Sequence, residues 1–244
     1  MVLVFNLDFV FLQGRCFWFA SRFSSVLPSA LISNLITWGV EALSQKNHFL
    51  NVFVIKGIKL FIENTTVTQH IPQIIDSLSR VLSFSIESQD ELITICLDTI
   101  STSLLKTNQV SIFESTIIPL LIKVWAKLSD DVLVAEIIHE TMSLFIKSPN
   151  SNFIPDFLDF VCKLLDCGLI NMTRVSNETV FDVSGVFIEK EHVFSMVPLS
   201  FDLLCDIIDN SAVVPASFVQ VVFPIVIQIL LVSDNISILQ VSIN

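Results

Sequence analysis

The sequence predicts an all-α protein built from repeated helix pairs, and three observations predict it. Apolar residues recur at three- and four-residue steps along most of the chain, the period of a helix with one buried face. Four apolar-proline steps, Ile71-Pro72, Ile118-Pro119, Ile154-Pro155 and Phe223-Pro224, each open such a stretch. Two further stretches, DELITICLDTISTSLLK from Asp90 and DVLVAEIIHETMSLFIK from Asp131, superimpose with an offset of 41 residues.

Each element follows from local chemistry. Apolar periodicity alone marks helices near residues 15–26, 29–44 and 49–63. Proline is tolerated in the first helical turn, where its missing N–H has no partner to lose, and costs about 3 kcal/mol further in. Pro72, Pro119, Pro155 and Pro224 are therefore expected early in helices near 70–84, 114–128, 153–166 and 217–232. Asp90 and Asp131 stand where a carboxylate can cap free backbone N–H groups. Lys106 and Lys147 stand at the opposite, negative ends, so 90–106 and 131–147 read as self-contained helices. A further helix is expected near 198–209. Short polar turns such as Ser129-Asp130-Asp131 and Ser148-Pro149-Asn150 join the elements. One helix pair per roughly 40 residues is the period of HEAT-type repeats, and such a pair cannot bury its apolar stripe without neighbours. The expected architecture is an all-α, armadillo-type superhelical solenoid of about five helix pairs, with residues 1–244 forming a single segment.

Composition narrows the function. Hydrophobic residues make up 52% of the 244 residues and charged residues 15%, below the roughly 25% usual in soluble proteins. The uncharged run 211–233 is long enough to cross a bilayer. It also contains Pro215, Gln220, Pro224 and Gln228, and Pro224 falls where the repeat places its proline, so a buried helix is expected there. Residues 1–12 lack a basic flank and carry Asp8, so no secretory signal is expected. Cysteines 16, 96, 162, 167 and 205 fall on apolar helix faces and are read as buried thiols. Cys162 and Cys167 have no second pair with which to hold zinc.

No phosphate-binding glycine loop, nucleophile elbow or histidine pair at metal spacing is present, and no enzyme, cofactor or metal site is expected. The nearest approach, Glu136 three residues before His139, is half of a di-iron helix set without its other half. His139 takes the slot of Asp98 in the superimposed helix and is expected at the surface.

A net charge of −11 disfavours nucleic acid and favours basic partners. Asp90, Glu91, Asp98, Asp130, Asp131, Glu136 and Glu140 gather on the second helices and their entry turns, and Asp202, Asp206 and Asp209 on a later one. In a stacked solenoid they would form an acidic ladder. The alternative is that they are ordinary solvated faces and caps.

Residues 12–43, LQGRCFWFASRFSSVLPSALISNLITWGVEAL, with Gly14, Arg15, Trp18, Ser21, Arg22 and Phe23 in a Gly-Arg-x-x-Trp-x-x-Ser-Arg-Phe pattern, resemble the central repeats of the importin-beta (karyopherin) family. ITICLDTI from Ile93, FESTIIPLLIKVWAKLSDDVLVAEIIHE from Phe113 and IPDFLDFVCKLL from Ile154 are similar to successive repeats of the same family. The resemblance covers roughly residues 12–240, leaving 1–11 unmatched and 168–196 as an insertion loop. It implies a HEAT-repeat segment of a nuclear import receptor that shuttles between cytoplasm and nucleus. Such a receptor carries basic cargo such as histones or ribosomal proteins through nuclear pores and releases it to Ran-GTP. Contacts with Ran-GTP and nucleoporins would come through the complete receptor, since the repeats that bind Ran in the family are not matched here. The cargo-binding acids would be Asp90, Glu91, Asp98, Asp131, Glu136, Glu140, Asp202 and Asp206, with no nucleic acid and no membrane insertion. The stop inside what should be another helix after Gln240 leads us to expect a fragment. A non-transport HEAT scaffold fits the same repeat pattern.

Overall fold

The computed structural model describes residues 9–45, 47–88, 91–128, 131–148, 188–210 and 216–232. Among them the chain is helical with no strand: α1 (Val10–Ser21), α2 (Ser29–Ala42), α3 (His48–Asn64), α4 (Ile71–Ser88), α5 (Leu92–Leu105), α6 (Glu114–Leu128), α7 (Val132–Ile146), α8 (Ile188–Asn210) and α9 (Ala216–Val232). The expected helix at 153–166, with Pro155, Cys162 and Cys167, lies outside the described residues. The chain divides into two compact units, Met1–Lys127 and Leu128–Asn244.

In the first unit the helices pack in two rows. α1 packs on α3 and α3 on α5, while α2 packs on both α3 and α4, and α4 on α5. This arrangement is compatible with stacked helix pairs. The repetition is visible residue by residue. α4 and α6 bury matching positions 43 residues apart: Ile71 and Glu114, Ile74 and Ile117, Ile75 and Ile118, Ser77 and Leu120, Leu78 and Leu121, Val81 and Val124. A short 3-10 turn leads into each, Thr68–His70 and Val110–Phe113.

This register corrects the role expected of the prolines. Pro72 is the second residue of α4, where it is tolerated, but Pro119 lies inside α6 and Pro224 inside α9. Aligning Pro119 with Pro72 slips the repeat by four residues, one turn, which keeps every apolar residue on the same face. The helix tolerates Pro119 because buried Ile117, Ile118, Leu120 and Leu121 hold the chain on both sides of it.

Two boundaries also differ. The first helix spans Val10–Ser21, not 15–26, because Leu27 before Pro28 is extended (ψ 143) and only a 3-10 turn, Ser24–Val26, fits between. The last part of the expected 168–196 insertion, residues 188–196, is helical and continuous with 197–210. That run, IEKEHVFSM, contains neither glycine nor proline. Residues 168–187 lie outside the described residues.

Within the stretch that carries the family resemblance, Phe17, at an unspecified position of the motif, packs α1 against α2 and α3. Phe17 is fully enclosed and packs between Gly39 and Gly57, where an added Cβ would come within 2.8 and 2.6 Å of its ring. The Phe17 ring also lies tilted against Trp38 and edge-on to Phe61, with centroids 5.3 and 5.7 Å apart. Arg15 lies over the rings of Phe11 and Phe53, and Arg22 over Trp18, as cation–π pairs. The Ser21 hydroxyl donates to the Trp18 carbonyl.

Candidate functional site

The expected acidic ladder resolves into residues with different tasks. Asp131 caps α7, its carboxylate accepting from the Val134 N–H at 3.1 Å, and Lys147 closes the same helix as its C-cap residue, as the sequence indicated. Lys106 is the C-cap of α5. Glu91, at the N-cap of α5, is exposed and makes no capping bond. Asp90 and Asp130 lie outside the described residues.

Asp98 is neutralised. The Lys59 ammonium on α3 donates to its carboxylate at 2.6 Å and also lies 3.6 Å from Glu63. Such half-exposed pairs contribute about 0–1 kcal/mol to stability, but they remove a free charge from the surface.

In the second unit α7 packs against α8, and the structure gathers acids there. Glu136 and Glu140 on α7 and Asp202 and Asp209 on α8 are exposed and make no ion pair among the described residues. Glu136 and Glu140 stand one turn apart, as do Asp202 and Asp206, a spacing at which like charges repel. Asp206 is half-buried, paired with Lys147 at 3.0 Å and accepting from the Ser143 hydroxyl. Lys147 thus relieves one acid and leaves the others as net negative charge.

His139 is not at the surface as expected. It is half-buried, and its Nε2 is enclosed without a hydrogen-bond partner. Burial holds its pKa below the ordinary value of 6.5. The charges of Asp202, Asp206 and Glu140 pull the other way, and Lys147 adds to the lowering. The imidazole is a neutral group surrounded by acids, which the sequence-level match to Asp98 could not show.

The thiols differ from the buried set expected. Cys96 is buried, but Cys16 is half-buried and Cys205 exposed. On α8 the buried stripe runs through Phe201, Leu203, Leu204 and Ile207, and Cys205 falls beside it. Partial burial, then Asp202, Asp209 and Asp206, raise the Cys205 pKa, which disfavours the nucleophilic thiolate.

Among the described residues no group of three or more histidine, cysteine or acidic side chains could hold a metal. Among them, too, no helix is long and apolar enough to cross a membrane. No known protein-family model matches the chain, and no curated protein matches it in sequence.

Proposed function

We propose that this chain is a HEAT-repeat segment of a nuclear import receptor, an importin-9-like member of the importin-beta family, that binds basic protein cargo without catalysis. The observation that supports this reading most is the acidic face of α7 and α8, where Glu136, Glu140, Asp202 and Asp209 are exposed without ion-pair partners among the described residues. Unneutralised acids on packed helices attract Lys- and Arg-rich proteins, raise the rate of encounter and set orientation. Asp98 is removed from the cargo-binding set because Lys59 already occupies it, and Asp131 because it caps its own helix. Histones and ribosomal proteins are the cargo class this reading names, with Ran-GTP and nucleoporins engaged by the complete receptor in its shuttling between cytoplasm and nucleus. Helix pairs that repeat with offsets of 41 and 43 residues fit this family and equally fit a scaffold. Co-precipitation of the complete gene product separates the two. Recovery of Ran-GTP together with basic cargo, with cargo lost when a non-hydrolysable GTP form of Ran is added, supports transport. A fixed multi-subunit set indifferent to Ran contradicts it.

A further inference from the structure

We propose that the solvent face of α1 is the docking surface for an amphipathic helix of a partner protein, one whose apolar stripe is edged with carboxylates. The inference is independent of the transport reading and uses none of the acids on α7 and α8.

α1 is apolar on two opposite faces. At the turn of an α-helix, Gly14, Phe17 and Ser21 fall on one side and are buried against α2 and α3. Leu12, Cys16 and Phe19 fall on the other. Phe23, in the turn that follows, continues this second stripe, its ring edge-on to Phe19 with centroids 5.0 Å apart. Leu12 is 45% exposed, Phe19 61% and Phe23 47%. The solvent stripe of α4 shows what an uncovered helix carries: Gln73, Asp76, Arg80, Ser83 and Glu87, polar throughout. On α1 the steps from Leu12 to Cys16, Phe19 and Phe23 are those of the a and d positions of a heptad, the seam along which two helices pair.

Charge selects the occupant. In that register Arg15 and Arg22 both take the g position, along one edge of the seam. Both are exposed, and rings hold them in place: Arg15 lies 5.6 and 5.7 Å from the Phe11 and Phe53 centroids, and Arg22 lies 5.9 Å from Trp18. Neither makes an ion pair among the described residues. Residues 9–40 contain no acid, so this face is cationic on a chain of net charge −11. A second copy of α1 is a poor match. Laid antiparallel it sets arginine against arginine, and laid parallel it offers only neutral Gln13 and Ala20 at the facing e positions. An anionic lipid surface shares the charge but requires no heptad spacing. A helix with Glu or Asp along its edge meets both features, since each guanidinium then gains a carboxylate.

The test is the binding to the full chain, by fluorescence anisotropy, of a labelled, blocked peptide made of three repeats of Leu-Ala-Gln-Leu-Glu-Gln-Glu. Its control has Lys in place of every Glu. Alkylation of Cys16, followed by mass spectrometry with Cys205 on α8 as the reference thiol, locates the contact. The glutamate peptide is expected to bind saturably in the micromolar range and to slow alkylation at Cys16 but not at Cys205. Phe19→Ser should weaken it by about tenfold, the loss of one aromatic contact. Arg22→Glu should weaken it by about tenfold and strengthen the lysine peptide. Both side chains are exposed, so Tm should change little in either variant. No saturable binding, or binding that leaves Cys16 as reactive as before, overturns the proposal. A glutamate-peptide affinity that Arg22→Glu leaves unchanged removes the charge selection and overturns it too. Dimerisation of the chain alone that Phe19→Ser abolishes assigns the stripe to a second copy. Protection of Cys16 by phosphatidylglycerol vesicles but not by the peptide assigns it to lipid, and each of these two results contradicts a partner helix.

Discussion

Helices α5 and α7 bury corresponding residues 41 positions apart, Ile93 and Val134, Leu97 and Ile138, Ile100 and Thr141, Ser101 and Met142, Leu104 and Phe145. The corresponding position after Leu97 and Ile138 is half-buried in each helix, yet it holds Asp98 in α5 and His139 in α7. Lys59 takes up the charge of Asp98. Around His139 the charges come from Glu140, Asp202 and Asp206, with Lys147 the one cation acting on it. Equivalent burial, set by helix periodicity, therefore carries opposite electrostatics. A repeat conserves its packing because every neighbour depends on it, while its polar slots are left to acquire partners that differ from one pair to the next.

The largest effect should come from breaking the shared packing. Phe145→Ala is expected to destabilise by about 3–5 kcal/mol and Leu104→Ala, its counterpart, by about 2–5 kcal/mol, both read by chemical denaturation. If either cost stayed under about 1 kcal/mol, well below this range, the two helices would not be equivalent in burial. Next comes the pH response of the polar slot. The folded protein holds His139 neutral below its ordinary pKa of 6.5, so the unfolded chain takes up a proton first as pH falls. Stability present above pH 6.5 is then lost progressively below it, down to the depressed folded value. Asn at position 139 should remove this contribution to the fall between pH 7 and 5. An identical pH profile in His139→Asn would show that the enclosed imidazole is not responsible. The smallest effect belongs to the other slot. Lys59→Met and Asp98→Asn should each shift stability by about 0–1 kcal/mol, and a double-mutant cycle exceeding that range would make this pair a structural element of α3 and α5.

Much of this architecture was legible in the amino-acid pattern because helix periodicity and capping are local. Asp131 with Lys147 marked both ends of α7, and the 41-residue match of α5 and α7 holds in their buried positions. Proline was a poorer marker. A four-residue slip moves Pro119 one turn along without turning any apolar residue outward, so hydrophobic pattern alone cannot choose between offsets of 43 and 47. The charge partners were invisible for a different reason. Lys59 meets Asp98, and Lys147 meets Asp206, across helices far apart in the chain, and nothing local distinguishes an acid that will be paired from one that will remain free.

The proposed cargo face rests on the claim that unpaired acids on α7 and α8 attract a basic protein whereas the paired acid on α5 does not. The direct measurement is the affinity of the complete gene product for a core histone dimer at two salt concentrations, for the native protein, for Glu136→Lys/Glu140→Lys/Asp202→Lys and for Asp98→Asn. The triple variant is expected to bind at least about tenfold more weakly at low salt, with a flatter salt dependence, and Asp98→Asn to bind like the native protein. Unchanged affinity in the triple variant at low salt, or an equal loss in Asp98→Asn, would contradict it.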